Sequence, residues 1–136
     1  MLSKSQRTEL VQAAKKARLS AYAPYSKYHV GAALLTKSGK VYSGANVENA
    51  AYPDSICAER VAIFKAVTEG ERDFEAIAVV TRDGGTPCGS CRQVLAEFSS
   101  TVSVIIANES GDVVREASLE ELLPGAFGPS NLNVQP

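Results

Sequence analysis

The sequence predicts an α/β fold, a three-layer α/β/α sandwich in which helices cover both faces of a five-stranded mixed sheet. The first observation is the order of hydrophobic patterns along the 136 residues, which reads helix, strand, strand, helix, strand, helix, strand, strand, helix. The second is a strand-helix-strand unit in the middle of the chain, whose right-handed crossover makes its two strands parallel. The third is an earlier hairpin, which is antiparallel, so a sheet that contains both units is mixed.

The first element is an amphipathic helix. Ser3 and Gln6 form a capping box at its start. Apolar residues then recur at helical spacing at Leu10, Ala14, Ala17 and Ala21. Pro24 stops this pattern, because proline cannot continue a helix.

The next two elements are the strands of the hairpin, residues 30–36 and 40–43, joined by the turn Lys37-Ser38-Gly39. Ala32 and Ala33 in the first strand imply that another element packs closely on it. Residues 44–56 follow no period and form a polar loop, of a kind that often carries binding groups. The polar and turn-forming residues of this loop are Asn46, Glu48, Asn49, Tyr52, Pro53 and Asp54.

The second helix is predicted to begin near Cys57 and to end at Gly70, a residue suited to a left-handed helix cap. Residues 75–81, 88–98 and 102–107 then give the strand, helix and strand of the crossover unit. A turn at 109–112 leads to a last strand at 113–116, and a short final helix begins at the capping box of Ser118 and Glu121. The tail after Pro124 is predicted to be irregular, and the whole chain, residues 1–136, to form one domain.

Composition excludes several classes of partner. The 14 Lys and Arg residues against 15 Asp and Glu give a net charge of −1, so the chain has no strong field for nucleic acid or anionic membranes. We therefore expect no nucleic-acid partner and no membrane partner. An odd number of cysteines argues against a secreted disulfide framework. The amino terminus lacks the apolar run of a signal peptide, and no uncharged apolar stretch approaches the roughly 18 residues of a membrane span. The expected location is the cytoplasm.

The three cysteines form a metal-binding pattern. Cys57 is followed 31 residues later by Cys88, and Cys91 completes a Cys-x-x-Cys pair. Three thiolates can hold zinc and leave its fourth tetrahedral position to water. The only histidine, His29, has no ligand neighbour at useful spacing and is not expected to bind the metal. The alternatives are buried cysteines that bind no metal, or a redox-active Cys-x-x-Cys pair with a third cysteine that takes no part.

The neighbours of these cysteines suggest hydrolysis. The cysteine segments precede helices, whose amino ends favour thiolate over thiol. Three thiolates give a zinc site a net charge near −1, which Arg60 or Arg92 can offset; Arg60, three residues after Cys57, has the better geometry. Glu59 is placed to carry protons for a reaction at the open position. Its alternative interpretation is a solvated glutamate in the first turn of a helix.

These motifs resemble a known family. Cys57-Ala58-Glu59 followed by Pro87-Cys88-x-x-Cys91 is similar to the zinc-dependent nucleoside deaminases in their three-cysteine form. The resemblance to the small homotetrameric cytidine deaminases covers nearly the whole chain. Its further segments are Ala23-Pro24-Tyr25-Ser26-Lys27-Tyr28, Gly31-Ala32-Ala33-Leu34, Asn46-Val47-Glu48-Asn49-Ala50 and Glu121-Leu122-Leu123-Pro124-Gly125-Ala126-Phe127.

The resemblance implies a cytidine deaminase-like fold, one zinc per subunit, and hydrolysis of cytidine and 2′-deoxycytidine to the uridine counterparts and ammonia, as in pyrimidine salvage. It implies a homotetramer with composite active sites. It makes Glu59 the proton carrier and assigns binding of the ribose 3′-hydroxyl to Asn46 and Glu48. It also places Tyr28 on the pyrimidine ring and Phe127 in a neighbouring subunit's site. The backbone N–H at Ala58 and the carbonyl near Thr86 would hold the edge of the base.

The chain departs from the family at Tyr28, where family members usually have Phe, and at His29, where family members usually have another residue. The added hydroxyl of Tyr28 needs a hydrogen-bond partner or water if it is buried. Without the resemblance, Asn46 and Asn49 would be read as turn formers, Glu48 as a surface charge, and Tyr28 and Phe127 as core residues. Two rival functions remain open: deamination of another aminopyrimidine nucleoside, such as an antibiotic, and a noncatalytic module stabilised by zinc.

Overall fold

The computed structural model of the chain describes residues 2–135, which contain four α-helices and five β-strands. In chain order these elements are α1 (Lys4–Arg18), β1 (Gly31–Thr36), β2 (Val41–Ala45), α2 (Ala58–Thr68), β3 (Phe74–Val80), α3 (Gly89–Ala96), β4 (Ser103–Ala107), β5 (Val113–Ser118) and α4 (Leu119–Leu122). Short 3₁₀ turns occur at Tyr52–Asp54 and Pro129–Leu132. The order agrees with the order predicted from the sequence.

The strands form one mixed sheet in the order β2-β1-β3-β4-β5. β1 runs antiparallel to both β2 and β3, with Gly31 opposite Ala45 on one side and Val80 on the other. β3 and β4 are parallel, and β5 returns antiparallel to β4. The predictions of a hairpin and of a parallel crossover are therefore both confirmed.

The sheet separates two hydrophobic layers. All six residues of β1 are buried, because successive side chains of a strand point to opposite faces and both faces are covered. One layer packs Leu10, Val11 and Ala14 of α1 against residues such as Ala33 and Ile105. The other layer joins α2, α3 and α4 to the opposite face of the sheet. This is the predicted three-layer sandwich.

Two glycines bring helices into contact with strand backbone. A β-carbon at Gly31 would lie 2.0 Å from the carbonyl oxygen of Ala14 in α1. A β-carbon at Gly44 would lie 2.8 Å from the Ala58 carbonyl oxygen and 2.8 Å from the Ala62 nitrogen, both in α2. Gly44 thus fixes how closely the first turn of α2 approaches the sheet.

Two segments differ from the sequence prediction. The capping box of Ser3 and Gln6 is present, but α1 ends at Arg18 and does not continue to Ala21. The chain turns after the helix, and Tyr22 then forms a β-bridge with Val47, which requires extended backbone. The tail after Pro124, predicted to be irregular, contains the 3₁₀ turn Pro129–Leu132. Within residues 2–135, no helix combines the length and apolar character needed to cross a bilayer.

Candidate active site

The amino ends of α2 and α3 meet at the carboxyl end of β3. α2 leads into β3 and α3 leaves from it, so both helices begin near the same edge of the sheet. Cys57 is the N-cap of α2, Cys88 is the N-cap of α3, and Cys91 lies in the first turn of α3. The crossover topology therefore brings together cysteines that are 31 residues apart in the sequence.

The three sulfurs have a spacing suited to zinc. Cys57 Sγ lies 3.8 Å from Cys88 Sγ, and Cys88 Sγ lies 3.4 Å from Cys91 Sγ. All three sulfurs lie within 4.8 Å of one another. Tetrahedral zinc with bonds of about 2.3 Å would place its sulfur ligands about 3.8 Å apart. The donor set and its spacing therefore fit a zinc ion with three protein ligands.

The surroundings of Cys57 favour a thiolate. Its sulfur interacts with the Cys91 thiol and accepts a hydrogen bond of 3.3 Å from Arg60 Nη2, and these contacts lower the pKa of Cys57 to about 5. The same interaction with Cys57, together with burial, raises the pKa of Cys91. Arg60 thus supplies positive charge beside one sulfur of the three-cysteine group. Its Nε is buried and makes no hydrogen bond within the described part of the chain.

Arg92 has a different set of contacts. It follows Cys91 directly, but its Nε donates to the Pro87 carbonyl over 2.8 Å and its Nη1 donates to the Leu122 carbonyl over 2.7 Å. Arg92 therefore ties the loop before Cys88 to the end of α4. Of the two arginines considered from the sequence, Arg60 is the one that makes a hydrogen bond to a cysteine sulfur.

Glu59 is buried beside the sulfurs. It is the second residue of α2, and only 4% of its surface is exposed. Burial, reinforced by the charge of Cys57, raises the pKa of Glu59 to about 7. A carboxyl group in this range can both accept and release a proton near neutral pH. The solvated first-turn glutamate considered from the sequence is not what the structure contains.

A cavity of about 470 Å³ opens in front of these groups. The sequence-predicted residues that line it are Tyr28, Asn46, Glu48, Cys57, Glu59, Arg60, Thr86 and Cys88. Ala58 is fully buried at the start of α2, between Cys57 and Glu59. Phe127 does not line the cavity, and 58% of its surface is exposed. The exposed His29 lies outside the sulfur group and outside the cavity lining.

Glu48 binds the start of the segment that forms one wall of the cavity. Its Oε1 accepts the backbone N–H groups of Tyr25 and Ser26 at 3.0 and 3.1 Å, and the Ser26 hydroxyl donates to Oε2. These hydrogen bonds, above all that from the Ser26 hydroxyl, lower the pKa of Glu48, so the side chain is a carboxylate at neutral pH. Oε2 keeps a lone pair for a further donor.

Asn46 binds the other end of the same segment. Its Oδ1 accepts the Val30 N–H over 2.9 Å, and its Nδ2 donates to the Tyr28 carbonyl over 2.8 Å. The second hydrogen on Nδ2 remains for a ligand in the cavity. Asn46 and Glu48 are each less than a tenth exposed, so they shape this wall as well as facing the cavity.

The structure also shows the hydrogen-bond partner of Tyr28, the tyrosine at a position where the family usually has Phe. The Tyr28 hydroxyl donates to Asp83 Oδ1 over 2.8 Å. Asp83 and the buried Thr81 were not singled out from the sequence. Both belong to the segment that directly follows β3, and polar residues after a strand of a parallel pair are often functional. The segment Thr81-Arg82-Asp83-Gly84-Gly85 was the available signal.

The sequence of this site matches a family model. Residues 4–108, which include all three cysteines, match the model for the cytidine and deoxycytidylate deaminase zinc-binding region. The chain belongs to this deaminase family. The metal that suits its three-sulfur group is accordingly zinc.

Individual deaminases agree with this membership. Cytidine deaminase from Sporosarcina psychrophila is 50% identical over 128 residues, which cover 92% of this chain and 93% of that protein. Cytidine deaminase from Halalkalibacterium halodurans is 51% identical over 130 residues, covering 93% and 98%. The crystal structure of cytidine deaminase from Burkholderia pseudomallei has a TM-score of 0.84 at 50% identity and covers 93% of this chain and 100% of that one. The predicted fold is thereby confirmed.

A deaminase with a different substrate is also related. Blasticidin-S deaminase from Bacillus cereus is 33% identical over 109 residues, covering 73% of this chain and 76% of that protein. A deaminase named for blasticidin S is therefore among the relatives, which bears on the rival substrate considered from the sequence.

Proposed function

We propose that this protein is a zinc-dependent hydrolase that converts cytidine and 2′-deoxycytidine to uridine and 2′-deoxyuridine, releasing ammonia. The observation that carries this proposal is that Cys57, Cys88 and the buried Glu59 line the same cavity as Asn46 and Glu48, with the Cys91 sulfur within 4.8 Å of the other two sulfurs. The first group is suited to hydrolysis and the second to binding a sugar. The activity named for the relatives at about 50% identity supports the same reaction.

The proposed chemistry divides between the metal and Glu59. Cys57, Cys88 and Cys91 would hold zinc, which supplies Lewis acidity and lowers the pKa of a water towards neutrality. The Glu59 carboxylate accepts a proton from the attacking water and delivers it to the ring nitrogen beside the reacting carbon. It then takes the remaining proton of that water, as the new carbonyl forms, and passes it to the departing amine. Water and cytidine thus become uridine and ammonia, with Glu59 returned to its starting state.

The remaining residues hold the substrate. The free Nδ2 hydrogen of Asn46 and the free lone pair of Glu48 Oε2 complement a ribose hydroxyl, which both accepts and donates. The Tyr28 ring would pack on the pyrimidine, and the Ala58 N–H and the Thr86 carbonyl would hold the edge of the base. Glu48, Glu59 and Arg60 are the charged residues that line the cavity, and they do not favour a phosphate group. The free nucleoside is therefore the proposed substrate.

The test is metal analysis together with the loss of cytidine ultraviolet absorbance. Zinc-loaded wild type should deaminate cytidine, and should act far more slowly on cytidine monophosphate or single-stranded DNA. Glu59→Gln should keep its zinc and lose at least about 10²-fold in kcat, the usual size of a general acid–base contribution. Glu69→Gln, the same change at the other end of α2, is the matched control and should behave as wild type.

Each other outcome has a definite meaning. Zinc-loaded wild type without any deaminase activity would refute the function and favour a noncatalytic zinc module. Faster turnover of cytidine monophosphate or single-stranded DNA would refute the substrate assignment. A competition assay between cytidine and blasticidin S tests the rival substrate, and preference for the antibiotic would replace cytidine in the proposal. Full activity of Glu59→Gln would show that Glu59 is not the proton carrier.

The proposal extends to the assembly. We expect a single domain over residues 1–136, a cytoplasmic location, a place in pyrimidine salvage, and a homotetramer in which Phe127 of one subunit completes the site of another. In support, Phe127 is exposed although it is aromatic, Tyr52 is exposed and lines the cavity, and the exposed Tyr25 and Val47 are adjacent in sequence to lining residues. Sedimentation should show a tetramer. A fully active monomer would refute both the tetramer and the composite site.

A further inference from the structure

The Tyr28 hydroxyl connects two walls of the cavity. Tyr28 belongs to residues 25–30, the segment that Glu48 and Asn46 hold in place. Its partner Asp83 belongs to residues 81–87, the loop that leads into Cys88. The hydrogen bond of 2.8 Å between them therefore links the wall beside the proposed sugar site to the wall beside the metal ligands.

Asp83 also organises its own loop through Thr81. The Thr81 hydroxyl donates to Asp83 Oδ1 over 3.3 Å and accepts the N–H groups of Gly84 and Gly85, each over 2.8 Å. A hydroxyl has one hydrogen and two lone pairs. With its hydrogen directed towards Asp83, the Thr81 hydroxyl presents both lone pairs to the two glycine amides. One carboxylate oxygen thus orders the loop and binds the tyrosine.

The charges of the pair suit this hydrogen bond. Burial is the main cause of the raised pKa of Tyr28, and the Tyr28 hydroxyl is the main cause of the lowered pKa of Asp83. At neutral pH the pair is therefore a neutral phenol donating to a carboxylate. Charge-assisted hydrogen bonds of this kind are stronger than bonds between neutral groups.

We propose that Asp83 is a positioning residue for the nucleoside, which sets the separation between the Tyr28 ring and the loop that carries Thr86. Asp83 is exposed and does not line the cavity, so it acts through Tyr28 and Thr81. This inference rests on the proposed function. The two walls contact the substrate before and during the reaction alike, while Glu59 and the sulfurs are untouched. Loss of the link should therefore raise KM and leave kcat unchanged.

The experiment is a double-mutant cycle measured by cytidine turnover of the zinc-loaded protein. Asp83→Ala and Tyr28→Phe should each raise KM about three- to tenfold, the size expected for a partly exposed hydrogen bond, with kcat within about twofold of wild type. The double variant should match Asp83→Ala, because Tyr28→Phe removes no further hydrogen bond once the Asp83 carboxylate is gone. Asp83→Asn keeps an Oδ1 acceptor but loses the charge, so its KM should lie between those of wild type and Asp83→Ala.

Asp73→Ala is the matched control, since Asp73 is an exposed aspartate that precedes β3 at the end of the strand remote from Asp83. Its KM should equal that of wild type. Unchanged KM in Asp83→Ala, multiplied effects in the double variant, or an Asp83→Asn variant as impaired as Asp83→Ala would each overturn the assignment.

Hydrogen exchange separates this inference from the proposed function, because it needs no substrate. The amides of Gly84 and Gly85 should exchange at least about threefold faster in Asp83→Ala than in wild type or Asp73→Ala. Equal exchange rates would overturn the ordering role of Asp83. If wild type showed no deamination while exchange changed as expected, the proposed function would fail and the ordering of the loop by Asp83 would stand.

Discussion

Replacing Gly44 with alanine should damage stability and catalysis together. The new β-carbon would lie 2.8 Å from the Ala58 carbonyl oxygen and 2.8 Å from the Ala62 nitrogen. Ordinary contact distances are about 3.5 Å, so α2 would have to retreat by roughly 0.7 Å. Ala58 is the first residue of α2 and directly precedes Glu59. The displacement therefore occurs at the proposed catalytic residue.

The size of the effect follows from this geometry. Overpacking costs about 1–3 kcal/mol, and the upper part of that range applies because two of the atoms met belong to helix backbone that cannot rotate aside. The lower entropy of the unfolded alanine chain offsets about 0.4–1 kcal/mol. A net loss of about 1–2 kcal/mol should lower Tm by roughly 4–8 °C in a domain of this size. A catalytic group displaced by this amount should lower kcat by about tenfold or more.

Thermal unfolding and cytidine turnover on the same preparations test this reasoning. The control is Ser43→Ala, because Ser43 is adjacent on β2 and its side chain points to the face of the sheet opposite to Gly44. This control should keep wild-type Tm and kcat. If Gly44→Ala also kept both values, the close approach of α2 to β2 would not control the position of Glu59.

Two further predictions concern charge. Arg60→Gln removes the guanidinium that donates to Cys57 Sγ and should weaken zinc binding about 10- to 100-fold, measured by competition with a chelator; unchanged affinity would show that Arg60 does not support the ligand. Arg7 Nε lies 2.9 Å from Glu116 Oε1 and lowers the pKa of the Glu116 carboxyl in the folded protein. The pair therefore stabilises the fold at pH values above the pKa of glutamate in the unfolded chain, about 4.3. This stabilisation is lost as the pH falls through the lower pKa of the folded state. The Tm difference between wild type and Glu116→Gln should therefore be full at pH 6 and shrink below about pH 4, and a difference that grew in acid would contradict this sign.

Local signals in the sequence predicted the elements well. Both capping boxes, Ser3 with Gln6 and Ser118 with Glu121, are present because their partners are only three residues apart. The turn between β1 and β2 and the helical crossover from β3 to β4 indicated that the first pair is antiparallel and the second pair parallel. The end of α1 was less predictable. Ala21 continues the helical spacing, but the neighbouring Tyr22 pairs with the distant Val47, a contact that no local pattern reveals.

The site also combines features that the sequence indicated with features that depend on contacts across the fold. The cysteine spacing, the position of Glu59 and the Arg60 side chain three residues after Cys57 indicated the metal end of the cavity. Asp83 was missed because its partner Tyr28 is 55 residues away. The second function of Asn46 and Glu48, holding residues 25–30 in place, also depends on contacts across the fold.

By itself, the sequence determined the types and order of the elements, the three cysteines whose spacing suits a metal, the nearby carboxylate and the family resemblance. These features depend on residue identity and on spacings of a few residues, which the chain carries in any conformation. Only the tertiary structure decided that Glu59 is buried with a raised pKa, that Gly44 sets the approach of α2, and that Asp83 links the two walls through Tyr28. Burial and contacts between distant segments arise only when the helices and the sheet have packed together.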